Sequence, residues 1–369
     1  MTEHPDVLIL GGGVIGLSTA WFLAEAGVRV TIVDKGDFGR QASWAGAGIL
    51  SPAYLEHAHT GLDQLRALSW KLFPSLSQKL REQTGIDNGY LVCGGLELFL
   101  RAEERPSEEW HGEGVAFEEL NSDDLHRRYP ELAPAVHRAH YLPDMAQVRN
   151  PRHLKALQAA CAARGVSLRS GCPVHQFVRK GDRIEGVDTD QGRLTAGCYL
   201  LATGAWSEAL LESLGWRLGI RPVRGQIALL NTDATGIRPL LLCGKRYLTP
   251  RGDGRILVGS TEEDVGFDTR TTAAAIAELL QFAVALVPNL AGAAVERCWA
   301  GLRPGSPDGK PFLGAVPGLD NLFVAAGHFR AGLQLSPGTA LVMKQLFLGE
   351  KPAIPLDDFR LDRWTKPRE

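Results

Sequence analysis

Apolar residues follow two periods along this chain, and the switches between them lay out its architecture. Val7–Leu10 is wholly apolar and runs into three consecutive glycines, which predicts a short buried strand. The segment VIGLSTAWFLAEAG (14–27) reads as a helix closed by Gly27, and VRVTIVD (28–34) as a second strand ending in Asp34. Residues 54–84 place Leu62, Leu65, Leu68, Leu72, Leu76 and Leu80 at helical spacing, which predicts one or two helices. From Tyr90 the pattern turns to strands in LVCGGLELFL, followed by an acidic helical and loop stretch through Tyr129. Helix returns near Gln147, with Asn150 predicted as N-cap and Pro151 as the first helical residue. A small antiparallel meander is predicted over Val174–Arg179, Arg183–Asp188 and Arg193–Thr195. An apolar strand, Cys198–Ala202, then opens into Thr203-Gly204-Ala205-Trp206. Later strands are predicted at Gly225–Leu230, Arg246–Pro250, Arg255–Ser260 and Asn321–Ala325. Helices are predicted near 271–286 and over Ser336–Leu348, and a loop around Arg303.

The first glycines carry the first chemistry. Gly11, Gly13 and Gly16 fit G-x-G-x-x-G, the spacing of a tight turn, a close backbone approach to pyrophosphate and close helix–strand packing. The N-terminal N–H groups of the following helix would face the phosphates. Asp34, eighteen residues after Gly16, is placed to accept hydrogen bonds from a ribose. The loop KGDFGRQASWAGAGILSP is rich in glycine and small residues, which suits a backbone threading past pyrophosphate and a flat ring system, with Arg40 and Ser43 within reach of a phosphate. Gly204, in the A-T-G-A turn after an apolar strand, suits another close approach to the same ligand.

Together these elements predict an α/β fold with a Rossmann-type dinucleotide domain from 1–85, 146–220 and 300–369. An interleaved α+β cap, built on a β-sheet and binding substrate, would take 86–145 and 221–299. At 369 residues and 44% apolar composition the chain can fill two cores. Forty basic against forty-two acidic residues leave a net charge of −2, which excludes an electrostatic footprint for nucleic acid or anionic membrane. The six cysteines are scattered without C-x-x-C, which favours reduced thiols in a cytoplasmic setting over a disulfide framework or zinc site. His57 and His59, at i, i+2, do not share a helix face, so no metal centre is expected. No segment approaches ~18 uninterrupted apolar residues, so no membrane segment is expected.

With these pieces in place, the chain resembles the D-amino-acid-oxidase-fold flavoenzymes, and among them most the glycine oxidases of thiamine biosynthesis. The likeness runs from VLILGGGVIG through SWAGAGILSP, VRNP, ATGAWS, RPVRGQ, RYLTPRGDGRILVGST and WAGLRPGSPDGKPFLG to AAGHFRAG. It implies non-covalent FAD with the isoalloxazine between the two domains. It also implies oxidative deamination of glycine, sarcosine or small D-amino acids, by hydride transfer from Cα to flavin N5. Dioxygen would be reduced to hydrogen peroxide, and the glycine imine handed to a thiazole synthase. A homotetramer is implied as well. Carried onto matching positions, FAD contacts fall on Val14, Ile15, Asp34, Lys35, Ala42, Ser43, Ala47, Gly48, Ile49 and Val174, and on the segment His328, Phe329, Arg330, Ala331, Gly332, Leu333 and Gln334. Arg303 matches the arginine that forks onto the substrate carboxylate, Tyr247 the active-site tyrosine, and Arg330 an arginine near the substrate end of the flavin.

The first two make chemical sense alone: a carboxylate in a closed apolar pocket needs a desolvated partner, and arginine offers a planar fork. The alternatives are a salt-bridging arginine and a core-edge tyrosine; His328 tunes a flavin or stabilises a turn. Ala331 stands where many relatives have Asn. Glu262 stands where an apolar residue can line the pocket; inward it bears on substrate choice, outward it does not. Relatives that bind flavin covalently have a cysteine near the position of Gly301, and Cys298 is off that register. Competing readings are a quinone-linked D-amino acid dehydrogenase, an oxidase for another small amine, and a non-catalytic flavin-binding subunit.

Overall fold

The structure, a computed structural model, describes residues 4–100, 109–232 and 236–364. Part of the acidic stretch after Leu100 lies outside these. The wholly buried strand Val7–Leu10 is central to a six-stranded sheet, paired in parallel with Val30–Val33 on one side and Cys198–Leu201 on the other. Strands buried on both faces read as continuous apolar runs, which is why these three were visible in sequence. Helices Val14–Glu25, Gly61–Thr84, Asn150–Ala163 and Gly332–Phe347 share one core on one face, with Leu17, Trp21, Leu76, Leu157 and Val342 buried in it. The meander Val174–Lys180, Arg183–Thr189 and Gly192–Leu194 shares the second core of this sheet through Phe177, Ile184 and Val187.

An eight-stranded sheet faces the other end of the cofactor region. Its edge pair, Arg221–Asn231 and Ala294–Gly305, runs antiparallel over nearly its whole length. Period-two alternation decides what each face carries. Ala228, Leu230, Leu248 and Val258 pack against the helix Ala273–Leu286, while Ile227, Leu229, Tyr247, Leu257 and Trp299 meet Ala47 and Ile49 on the other side. Register places Trp299 opposite Ile227, Ile227 opposite Gly259, and Gly259 opposite Tyr247. Gly301 lies opposite Gly225, and Arg303 opposite Val223.

Three expectations are corrected. Arg303 lies inside the strand Ala294–Gly305, not in a loop, because its G-L-R-P-G residues pair with Arg221–Gly225; the expected boundary at 299/300 falls inside this same strand. Asn150 is the first helical residue and Arg149 the N-cap; the Asn150 side chain turns instead to the 42–49 segment, donating through Nδ2 to the Ser43 carbonyl at 2.8 Å. The 54–84 segment holds two helices, as its spacing allows: a 3-10 turn, Leu55–His57, and the helix Gly61–Thr84, which starts at a reciprocal Thr60–Asp63 capping box. The last helix begins at Gly332, four residues earlier than Ser336.

Buried Asn321 joins the meander to the main sheet: its Nδ2 donates to the carbonyls of Ile184 (3.0 Å) and Gly197 (3.2 Å), and its Oδ1 accepts from the Ile184 N–H (2.8 Å). Asn321→Ala leaves these backbone groups without partners, and a loss of about 2–3 kcal/mol in unfolding free energy is expected in denaturant titration.

Candidate active site

One cavity of about 890 Å³ runs between the two sheets and is lined by residues from nearly every predicted motif. At one end the turn after the first strand presses against the strand end Ala202–Thr203. A Cβ on Gly11 (φ +108°) would lie 2.4 Å from the Ala202 oxygen, and one on Gly16 would lie 2.0 Å from the Gly11 oxygen. Gly16 therefore packs the helix against the turn and does not line the cavity. Gly13, the N-cap of the helix, opens into it. Asp34 accepts the Gly12 N–H at 2.8 Å and the Gly36 N–H at 3.0 Å, one bond per carboxylate oxygen, so each oxygen keeps acceptor capacity. Ser43 accepts the Val14 N–H at 3.0 Å, which ties the small-residue loop to the helix N-terminus. Lys35, Gly204 and Val174 line the same end.

The loop 42–49 is clamped from both sides. A Cβ on Gly48 (φ +73°) would lie 2.0 Å from the Val148 oxygen. From the eight-stranded side, Arg251 donates through Nη2 to the Ala47 carbonyl at 2.6 Å and through Nη1 to the Val148 carbonyl at 3.1 Å. Burial pushes the Arg251 pKa down to about 10. Trp299 donates to the Ala45 carbonyl at 3.0 Å, and a Cβ on Gly301 would meet that of Ala45 at 2.5 Å. Arg251 had no sequence signal beyond following a predicted strand, because its partners lie about a hundred or more positions away.

At the other end stand Arg303 and Tyr247. The Arg303 guanidinium lies flat over Gly225, where a Cβ would come within 2.2–2.5 Å of Nη2, Cζ and Nη1. Nη2 donates to the Ser260 hydroxyl at 2.8 Å and Nη1 to the Thr261 carbonyl at 3.1 Å. All its partners are neutral; among the described residues no carboxylate pairs with it. Tyr247 crosses Gly259 in the same way, with a hypothetical Cβ 2.5 Å from its Cζ and hydroxyl. Burial raises the Tyr247 pKa and lowers that of Arg303. Ser260, Gly225 and Gly259 were missed as site residues; register puts Gly225 and Gly259 on the sheet face that carries Tyr247 and Arg303, and Ser260 follows the end of the strand Arg255–Gly259.

Residues 328–334 line the cavity between these ends. His328 is buried, meets Thr339 at 3.1 Å, and burial drives its pKa down to about 3, so it is neutral. Ala331 is the N-cap of the last helix and gives it no side-chain cap, so the first-turn N–H groups of Gly332–Gln334 stay open to an acceptor in the cavity. Arg330 sits at the rim, its Nη1 3.7 Å from Glu262 and its Nη2 donating to the Lys245 carbonyl at 3.3 Å. Glu262 does not line the cavity; it stands outside with Lys245 at 3.5 Å and Arg330. Cys298 does not line it either.

The cavity fits FAD on its own terms. A glycine-lined helix start suits pyrophosphate, an acceptor carboxylate suits ribose, and the clamped small-residue loop and the open helix N-terminus suit a flat ring with carbonyl oxygens.

The family described as DAO, FAD dependent oxidoreductase, matches residues 6–346. The chain is 41% identical to glycine oxidase of Pseudomonas putida over 95% of its length and 96% of that protein. It is 36% identical to the bifunctional protein ThiO/ThiG of Synechocystis sp., covering 95% of this chain and 53% of that protein. The crystal structure of glycine oxidase from Geobacillus kaustophilus superposes with a TM-score of 0.93 at 34% identity, covering 99% of this chain and 100% of that one. The chain belongs to the FAD-dependent oxidoreductases of the DAO family, and its cofactor is FAD.

Two predictions follow from this geometry. Gly225→Ala displaces the guanidinium, and the KM for an amino acid substrate is expected to rise about tenfold or more while visible absorbance shows FAD still bound. Buried neutral His328 and His153, the latter at about 4, titrate near 6.5 once unfolded. The unfolded chain thus binds more protons below pH 6.5, and stability falls with pH from there towards about 4. The expected loss approaches about 1.4 kcal/mol per pH unit per histidine, measured by denaturant titration across that range.

Proposed function

We propose that this flavoenzyme is an amino acid oxidase that deaminates glycine and other small amino acids, sarcosine and small D-amino acids among them. The observation that carries this is the Arg303 guanidinium, facing the cavity without a carboxylate partner and beside the Tyr247 hydroxyl. Such a pair is complete only when an anion binds, and a fork plus a hydroxyl suits one carboxylate. FAD supplies acceptance of a hydride from the substrate and its return to dioxygen as hydrogen peroxide. The protein's share is positioning: Arg303 and Tyr247 hold the carboxylate, and Ser260 and Gly225 hold Arg303. With its pKa raised, Tyr247 stays a phenol at neutral pH and acts as a donor. Relatives named glycine oxidase favour this reading over a quinone-linked dehydrogenase.

In this reading the glycine imine passes to a thiazole synthase. Relatives named ThiO/ThiG, of which this chain spans about half, support that hand-off. The resemblance supports a homotetramer. A cytoplasmic enzyme fits a chain with no described helix long and apolar enough to cross a membrane. The lines of division we propose are those of the two sheets, with Ala294–Gly305 wholly in the substrate-binding part.

Oxygen uptake by the purified yellow protein, with peroxide assayed alongside, tests the reading on glycine, sarcosine, D-alanine and D-proline. Uptake strongest on glycine or sarcosine is expected; flavin bleaching without uptake means a dehydrogenase. Arg303→Ala is expected to raise the KM by about two to three orders of magnitude with FAD retained. An unchanged KM removes Arg303 from its role.

A further inference from the structure

The adenosine end of the cavity is closed by residues from both sheets. Lys35 follows Asp34 directly, and its Nζ stands 3.4 Å from the centroid of the Trp206 ring. Both side chains line the cavity. Trp206 ends the turn Gly204–Trp206, and its outer side carries a second ring, Phe267, at 5.4 Å between centroids and tilted by 33°. Phe267 does not line the cavity and is 53% exposed.

The loop that carries Phe267 is itself fixed. Arg224, nearly fully buried, pairs with Glu263 at 2.5 Å and with Asp268 at 3.1 Å, one on each side of Phe267. The Gln226 side chain accepts the Thr272 N–H at 2.8 Å. Arg224 and Gln226 flank Gly225, the seat of the Arg303 guanidinium, so the strand that positions the substrate fork also anchors this loop.

We propose that Lys35, Trp206 and Phe267 form a clasp across the adenosine end of the cavity, through which the eight-stranded sheet slows the release of FAD. The cation holds the ring's inner face and Phe267 backs its outer side, so the adenosine cannot leave past Trp206 until the loop yields. The clasp acts on the adenosine half of the cofactor and leaves the ring half to the 42–49 loop and residues 328–334.

The test is the rate of FAD release from the holoenzyme, followed as the rise in flavin fluorescence after dilution. Phe267→Ala is expected to speed release about threefold to tenfold, the factor for losing one aromatic pair. Trp206→Ala is expected to do at least as much, and Trp206→Phe, which keeps a ring, to lie between it and the parent. ADP and FMN binding to the flavin-stripped full chain, by calorimetry, separates the two halves. Phe267→Ala should weaken ADP by the same factor as FAD and leave FMN unchanged. Release at the parent rate in both alanine variants overturns the proposal. So does a lower melting temperature of the flavin-stripped chain with unchanged release, or an equal loss of ADP and FMN.

Discussion

A guanidinium facing an apolar cavity with only neutral partners is the constraint on which the substrate end depends. Burial lowers the Arg303 pKa, yet arginine stays charged, so the unmatched charge must be matched from the cavity. Everything near it serves its placement. Gly225 leaves room for the plane, Ser260 and Thr261 fix two nitrogens, and the strand pairing with Arg221–Gly225 fixes the stem. A site held this way is ready before substrate arrives, which keeps the ordering cost out of the binding step.

The cofactor end depends on close backbone approaches rather than on side chains. Gly11 against Ala202, Gly16 against Gly11 and Gly48 against Val148 leave no space for a Cβ. Between the two ends, Arg251 and Trp299 reach from the eight-stranded sheet to the carbonyls of Ala47 and Ala45. The segment expected to pass the flavin is thus held by the same sheet that bears Arg303 and Tyr247.

Much of this was legible because local rules agree with the fold. The glycine spacing, the apolar run of Val7–Leu10 and the acid at Asp34 are short-range signals; the first two landed in their expected elements, and Asp34 directly follows the strand it was expected to end. Arg303 was read as a loop residue because Gly301, Pro304 and Gly305 are turn residues by habit; in the structure Gly301 is small because Ala45 packs on it. Asn150 looked like a cap because nothing local shows that its side chain turns to the Ser43 carbonyl, 107 positions away. Gly225, Gly259, Ser260 and Arg251 carry no local signal at all. Their roles arise from cross-strand register and from contacts between segments far apart in the chain, which the pattern along one strand does not contain.

The same geometry argues what kind of discrimination the site can make. A plain amine that fills the cavity leaves Arg303 and the Tyr247 hydroxyl without an anion, and a desolvated unpaired charge is costly. If the fork takes the substrate carboxylate as proposed, rejection of amines without one is built into it and is strong. Choice among glycine, sarcosine and D-alanine differs only by a methyl group, which an apolar wall discriminates by about 1–3 kcal/mol. Glu262 does not sharpen that choice from within, since it stands at the rim between Lys245 and Arg330. There Glu262 offsets one of the two cations, and the rim keeps a net positive charge beside the fork.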